Sequence, residues 1–243
     1  PLAPGRRLGL LGRTGSGKTT LTRLLFRLYD PSSGSVKVGG VDTRDVDLQL
    51  LRSRIGLVTQ DVQLFRGTLR DNLTFFDPTV PDDVILGVLE ELGLGPWLRG
   101  QEKGLDTELD SGGRNLSAGE AQLIAFGRVF LKDPGLVILD EPSSRLDPVT
   151  ERRLEVALER LLHGRTAIVI AHRLETVERV DEIMVMDRGH VVEAGPRAAL
   201  AADEDSRYSR LRRAALALDL NVAGRAGAAR LAPEDAELLE DLA

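Results

Sequence analysis

The sequence predicts an α/β fold built around a parallel sheet, on three observations. A glycine-rich loop lies between an apolar, strand-sized run and a helix-period pattern. Strand and helix patterns then alternate along the chain, and one wholly apolar run ends in an acidic pair. The first run is Leu8-Gly9-Leu10-Leu11. It leads into Gly12-Arg13-Thr14-Gly15-Ser16-Gly17-Lys18-Thr19-Thr20, a complete G-x-x-x-x-G-K-[ST] loop, with Leu21, Leu24, Leu25 and Leu28 following at helical spacing. Small residues let consecutive backbone N–H groups curl around phosphate oxygens, and the helix that begins there points its positive end at them. Lys18 is placed to reach the β- and γ-phosphates of a nucleotide, and the Thr19 hydroxyl to help hold Mg²⁺.

The remaining elements follow in order. Asp30-Pro31-Ser32-Ser33-Gly34 is a dense turn signal, after which Val36-Lys37-Val38 alternates as a short strand. A weak helix is expected over 48–55 and a strand over 56–59. Pro81 opens a clearer helix, with Asp82 and Asp83 in its first turn and Val84, Ile85, Val88, Leu89 and Leu92 as its apolar stripe; Gly93 stops it. Residues 93–113 read as loop-rich, 117–131 as a helix and 136–139 as a buried strand. Asp147-Pro148 starts another helix, with Leu154, Leu158, Leu161 and Leu162 inward and Gly164 as its stop. A strand over 166–171 follows, then 183–186 and Val191-Val192, joined as a hairpin by Asp187-Arg188-Gly189-His190. Beyond about Leu200 strand signals vanish and Ala, Arg, Asp and Glu dominate. This end is expected to be solvated or loosely docked, with a short acidic helix over 233–243 as the alternative.

Composition narrows the function. Hydrophobic residues make up 42% of the 243 but aromatics only 4%, so Leu, Val, Ile and Ala must fill the core. The absence of cysteine removes disulfides, thiolate metal sites and a cysteine nucleophile. A net charge of −6 argues against a broad nucleic-acid-binding face, and no nucleic-acid partner is expected. The longest apolar runs are strand-sized, far short of a membrane span. The N-terminus has neither a signal pattern nor a starting Met, so Pro1 reads as a cut inside a longer polypeptide.

Gly135-Leu136-Val137-Ile138-Leu139-Asp140-Glu141 carries the second piece of chemistry. An apolar strand cannot keep carboxylates inside a sheet, so Asp140 and Glu141 emerge at its C-terminal tip, the edge where open α/β sheets bind ligands. Asp140 suits Mg²⁺, held through water, and Glu141 suits a general base for an attacking water. The third piece is Asn115-Leu116-Ser117-Ala118-Gly119-Glu120. Here Ser117 is a good helix N-cap and Glu120 completes a capping box.

Together these segments resemble the nucleotide-binding domain of ATP-binding cassette (ABC) transporters over roughly residues 1–200. Leu116, Ser117 and Gly119 match that family's Leu-Ser-Gly-Gly-Gln signature, while Ala118 and Glu120 depart from it. Gln60 sits at the glutamine-loop position and His172 at the switch-histidine position. Ser144-Arg145-Leu146-Asp147 matches the D-loop except at Arg145, and Asp147 also suits an N-cap before Pro148. The stretch Asp61-Val62-Gln63-Leu64-Phe65-Arg66-Gly67-Thr68-Leu69-Arg70-Asp71-Asn72-Leu73 is similar to the segment of exporter-type cassettes that contacts the membrane domain. Thr107-Glu108-Leu109-Asp110-Ser111-Gly112-Gly113 resembles the exporters' cross-contact loop, with Asp110 for a usual glycine and Ser111 for a usual glutamate.

The resemblance implies a P-loop NTPase (RecA-like) parallel-sheet core over 1–68 and 134–200, an inserted α-helical subdomain over 69–133, and a tail over 201–243. It implies ATP and Mg²⁺ as ligands. Residues 12–20 would hold the phosphates; Thr19, Gln60 and Asp140 the metal; and Glu141, His172, Lys18 and Gln60 the hydrolysis. Ser117 and Gly119 would face the γ-phosphate held by a second nucleotide-binding domain, identical or not. The further partner implied is the transmembrane domain of the same transporter, on the same polypeptide, which places the chain at the cytoplasmic face of the cell membrane. The family stacks adenine on an aromatic upstream of the loop, and no aromatic residue precedes Gly12 here, as expected of a chain cut at Pro1. Two alternatives stay open: a soluble ABC-family ATPase, and a regulatory cassette with weak turnover, suggested by the altered signature.

Overall fold

The computed structural model of the chain describes residues 1–59, 62–140, 148–170 and 177–222. They belong to two compact units, Pro1–Leu51 with Thr166–Ala243, and Arg52–Arg165.

In the first unit, strand β1 (Arg7–Leu11) is the centre of a sheet ordered β10-β9-β1-β8. It runs parallel to β8 (Thr166–Ile170), pairing Gly9 with Val169, and parallel to β9 (Glu182–Asp187), pairing Gly9 with Ile183. Leu10, Leu11, Val169, Ile170, Ile183 and Val185 are all buried. Parallel strands covered on both faces demand such unbroken apolar runs, which is why these strands were legible without alternation. Strand β10 (His190–Pro196) closes the edge antiparallel to β9, with a register shift between Val191 and Glu193 and with Val191 and Val192 exposed. Helix α1 (Lys18–Leu25) follows β1, and β2 (Lys37–Val38) and β3 (Val41–Asp42) form a small hairpin. Helix α2 (Leu48–Ser53) leads into the second unit.

That unit pairs β4 (Ile55–Val58) with β7 (Leu136–Asp140) in parallel, Leu57 opposite Ile138. Ile55, expected at the end of a helix, instead begins β4 and is fully buried. A short ladder joins β5 (Gly67–Thr68) to β6 (Glu108–Leu109). Around them lie α3 (Leu69–Thr74), α4 (Asp82–Glu91), α5 (Gly95–Arg99), α6 (Ala118–Lys132) and α7 (Pro148–Leu162). Leu69, Leu73, Ile85, Leu89, Leu92, Leu123, Ile124 and Phe126 make the helical core. The stretch read as loop-rich thus holds α5, β6 and two 3₁₀ turns.

Beyond β10, α8 (Arg197–Ala202) and α9 (Arg207–Val222) belong to the first unit. The start of α9 is docked, where a loosely held end was expected: Tyr208, Leu211 and Ala214 are buried. Its free N–H groups are met from two sides. Ser206 Oγ accepts from Ser209 N (2.9 Å), while the Glu193 carboxylate on β10 accepts from Arg207 N (2.7 Å) and Tyr208 N (2.8 Å). A carboxylate at a helix N-terminus gains both the hydrogen bonds and the dipole. Glu193→Ala is therefore expected to lower the unfolding free energy by about 1–2 kcal/mol, read from the urea midpoint, with Glu193→Gln losing less. Among the described residues no helix is long and apolar enough to cross a membrane.

Candidate functional site

The loop between β1 and α1 has the geometry that its sequence requires. Gly12, Gly15 and Gly17 take φ of 139°, 83° and 105°, in the region that side chains rarely enter. A Cβ on Gly12 would also collide with the Met186 carbonyl. Gly17 is the N-cap of α1 and offers no side chain to cap it. Ser16 N donates to Arg13 O (3.0 Å), folding the loop back on itself. This is the turned backbone that wraps an anion at a helix start.

Lys18 is buried at 6% exposure, a position an ammonium takes only with partners. Its Nζ donates to Gly12 O and, at 3.1 Å, to Arg13 O, so the ammonium lies against the loop's own carbonyls. The Ser16 hydroxyl is buried at 1% exposure and has no hydrogen-bond partner among the described residues. Thr14, Thr19 and Thr20 are exposed. A glycine-shaped turn, a buried cation, an unmet buried hydroxyl and an exposed hydroxyl on the first helical turn fit a polyphosphate. A hydroxyl oxygen such as that of Thr19 is the kind of ligand that suits the hard cation that accompanies one.

Asp140 ends β7, after Val137, Ile138 and Leu139, which are fully buried, and it is half-exposed at the strand's C-terminal tip. Ser117 caps α6 through the expected box. Its Oγ accepts from Glu120 N (3.2 Å), and Glu120 Oε2 accepts from Ser117 N (2.7 Å). The Ser117 hydroxyl also donates to Glu120 Oε2 (2.8 Å), so the hydroxyl proton is directed into the helix's own cap. Gly119 is buried and Ala118 exposed. Gln60, Glu141 and His172, with the D-loop residues Ser144, Arg145, Leu146 and Asp147, lie outside the described residues.

Several supporting groups emerge only in the folded structure. Gln122, buried on α6, points its amide at the Thr59 carbonyl (3.5 Å), next to Gln60; a polar residue on the helix's buried face was the available signal. Arg128 on α6 donates to Asn72 O (2.7 Å), Asn72 Oδ1 (3.2 Å) and Gln63 O (2.8 Å), with its guanidinium over the Phe75 ring (4.7 Å). Burial lowers its pKa to about 10. Asn72, fully buried, in turn holds both Phe65 backbone groups. These bonds stitch α6 to the 62–76 segment, which exposes Phe65, Phe75 and Phe76.

A sequence profile of the ABC transporter family matches residues 1–144. Among curated proteins, the chain is 41% identical over 198 residues to the uncharacterized ABC transporter ATP-binding protein YknV of Bacillus subtilis, covering 82% of this chain and 33% of that protein. It is 43% identical over 211 residues to the ATP-dependent lipid A-core flippase of Thiobacillus denitrificans, covering 86% and 36%. Among solved structures, a bacterial Atm1-family ABC exporter with ATP bound superposes with a TM-score of 0.77 at 33% identity, covering 84% of this chain and 36% of that one. The chain thus spans about a third of the length of the relatives it matches.

Proposed function

The chain belongs to the ABC transporter family, and from that premise we propose that it is the ATP-binding and ATP-hydrolysing part of an exporter. The carrying observation is the folded phosphate loop, its three glycines at positive φ and Lys18 buried against its carbonyls. In this reading residues 1–68 and 134–200 form the nucleotide-binding core, residues 69–133 the helical subdomain, and residues 201–243 an appended tail. Residues 12–20 bind the phosphates of ATP, and Lys18 neutralises the β- and γ-oxygens. Thr19, Gln60 and Asp140 would hold Mg²⁺, which supplies further charge neutralisation at those oxygens. Glu141 accepts the proton of the attacking water as its oxygen bonds to the γ-phosphorus and the bond to ADP breaks. His172 orients that water.

The second half of the site comes from another cassette, whose Ser117 and Gly119 close over the γ-phosphate. Binding therefore joins two cassettes, and hydrolysis releases them. An attached transmembrane domain converts that motion into export, with the chain on the cytoplasmic face of the membrane and the exposed Phe65, Phe75 and Phe76 segment toward it. The test is ATP-dependent dimerisation of a Glu141→Gln chain.

One observation favours low turnover as a second reading: the Ser117 hydroxyl is turned to the Glu120 carboxylate. A carboxylate beside an incoming γ-phosphate repels it. Glu120→Gln keeps an acceptor for Ser117 N but removes the charge. It is expected to strengthen ATP-dependent dimerisation about tenfold, as one unit charge at surface dielectric allows, read by sedimentation across an ATP titration. No change would mean that the cap already neutralises Glu120.

A further inference from the structure

The turn between β9 and β10, which reads in sequence only as a hairpin connection, lies against the phosphate loop. Gly189 N donates to Ser16 O (2.9 Å). Arg13 Nη2 stands 3.0 Å from Asp187 Oδ1, an oxygen otherwise buried without a hydrogen-bond partner among the described residues. The missing side chain of Gly12 makes way for the Met186 carbonyl, and a Cβ on Gly17 would lie 3.3 Å from Met186 Cε and 3.4 Å from Gly189 Cα. Each contact falls on a residue that shapes the cradle. Gly12 and Arg13 are also the two residues whose carbonyls receive Lys18 Nζ.

We propose that this hairpin turn is a clamp on the phosphate loop, with Asp187 as a positioning residue that fixes Arg13 and, through the Gly12 and Arg13 carbonyls, the Lys18 ammonium. Gly189 holds the far side of the loop through Ser16. The clamp preorganises the cradle before nucleotide arrives, so its loss is felt as affinity. The inference rests on the reading of the loop as a nucleotide phosphate site.

The sign of the effect separates the clamp from plain electrostatics. Asp187 is an anion beside an anion site, so deleting its charge with no other consequence would tighten binding of a polyphosphate. A clamp predicts the opposite. Mg-ADP is the probe, because its binding does not call on a second cassette. In titration calorimetry, Asp187→Ala and Asp187→Asn are expected to weaken Mg-ADP about fivefold, of the order of one partly exposed ion pair. Asp187→Glu is expected to recover most of that loss. In an Arg13→Ala background, Asp187→Ala should add little, because the two act as one unit. The apo melting temperature should stay close to the parent's throughout.

Unchanged or tighter Mg-ADP binding in Asp187→Ala would overturn the clamp. So would a loss that tracks a fall in melting temperature and is not recovered by Asp187→Glu, since that is a folding effect. A parent chain that binds no Mg-ADP would overturn the nucleotide-site reading itself, and the clamp with it.

Discussion

Lys18→Ala is expected to reduce ATP hydrolysis about a hundredfold or more, the scale of a lost charge-stabilising group in phosphoryl transfer. The ammonium is buried and bonded to Gly12 O and Arg13 O, so it stands where the loop converges. A polyphosphate entering the cradle meets a cation already desolvated and oriented, and no reorganisation cost falls on the transition state. Alanine removes that charge and leaves the Gly12 and Arg13 carbonyls without their donor. The loss should therefore show in ATP affinity as well as in kcat. The check is a steady-state assay paired with nucleotide titration, and a circular dichroism melt must show the variant folded. A folded Lys18→Ala chain that hydrolyses ATP at the parent rate would remove the loop from the chemistry.

The phosphate loop was legible because its constraints are local. Gly12, Gly15 and Gly17 must take positive φ, and the run of Leu8 to Leu11 before them and the leucine period after them fix strand and helix. The Ser117–Glu120 box was legible for the same reason, since cap and partner are three residues apart. What escaped notice acts over long separations or at short length. Asp187 and Gly189 touch the loop from more than 170 positions away, and only the folded sheet, with β9 beside β1, brings them there. The cap on α9 comes from Glu193 on a strand, so a helix start that looked unsupported in sequence is held by tertiary contact. Helix α5 is a single turn opened by Pro96, too short for any period to emerge among neighbouring glycines. Phe75 and Phe76, both at positive φ (55° and 65°), run against residue preference altogether. They are held by the Arg128 guanidinium over Phe75 and by the packing of Phe76 on Phe65 (6.1 Å).

Glu141→Gln is expected to lower hydrolysis by about 10²- to 10⁴-fold, the usual contribution of a general base, while leaving ATP bound. Glutamine keeps the size of the side chain and its hydrogen-bonding reach but cannot take the water's proton. Three buried residues carry β7 to Asp140 at its tip, and Glu141 is the next residue in the sequence. With hydrolysis blocked, any closed pair of cassettes persists long enough to be sized. At a concentration where the apo chain is monomeric, Mg-ATP is expected to shift this variant to a dimer. Ser117→Arg, which places a bulky cation at the exposed cap of α6, is expected to abolish the dimer without weakening Mg-ADP binding. That pattern would mean the two phosphate-facing helix starts, α1 from one copy and α6 from the other, close on the same nucleotide, and that Ala118 and Glu120 are tolerated. A variant that stays monomeric with ATP bound would show that two copies of this chain do not complete the site. The partner would then have to be a different cassette, one whose signature lacks the carboxylate that engages Ser117 here.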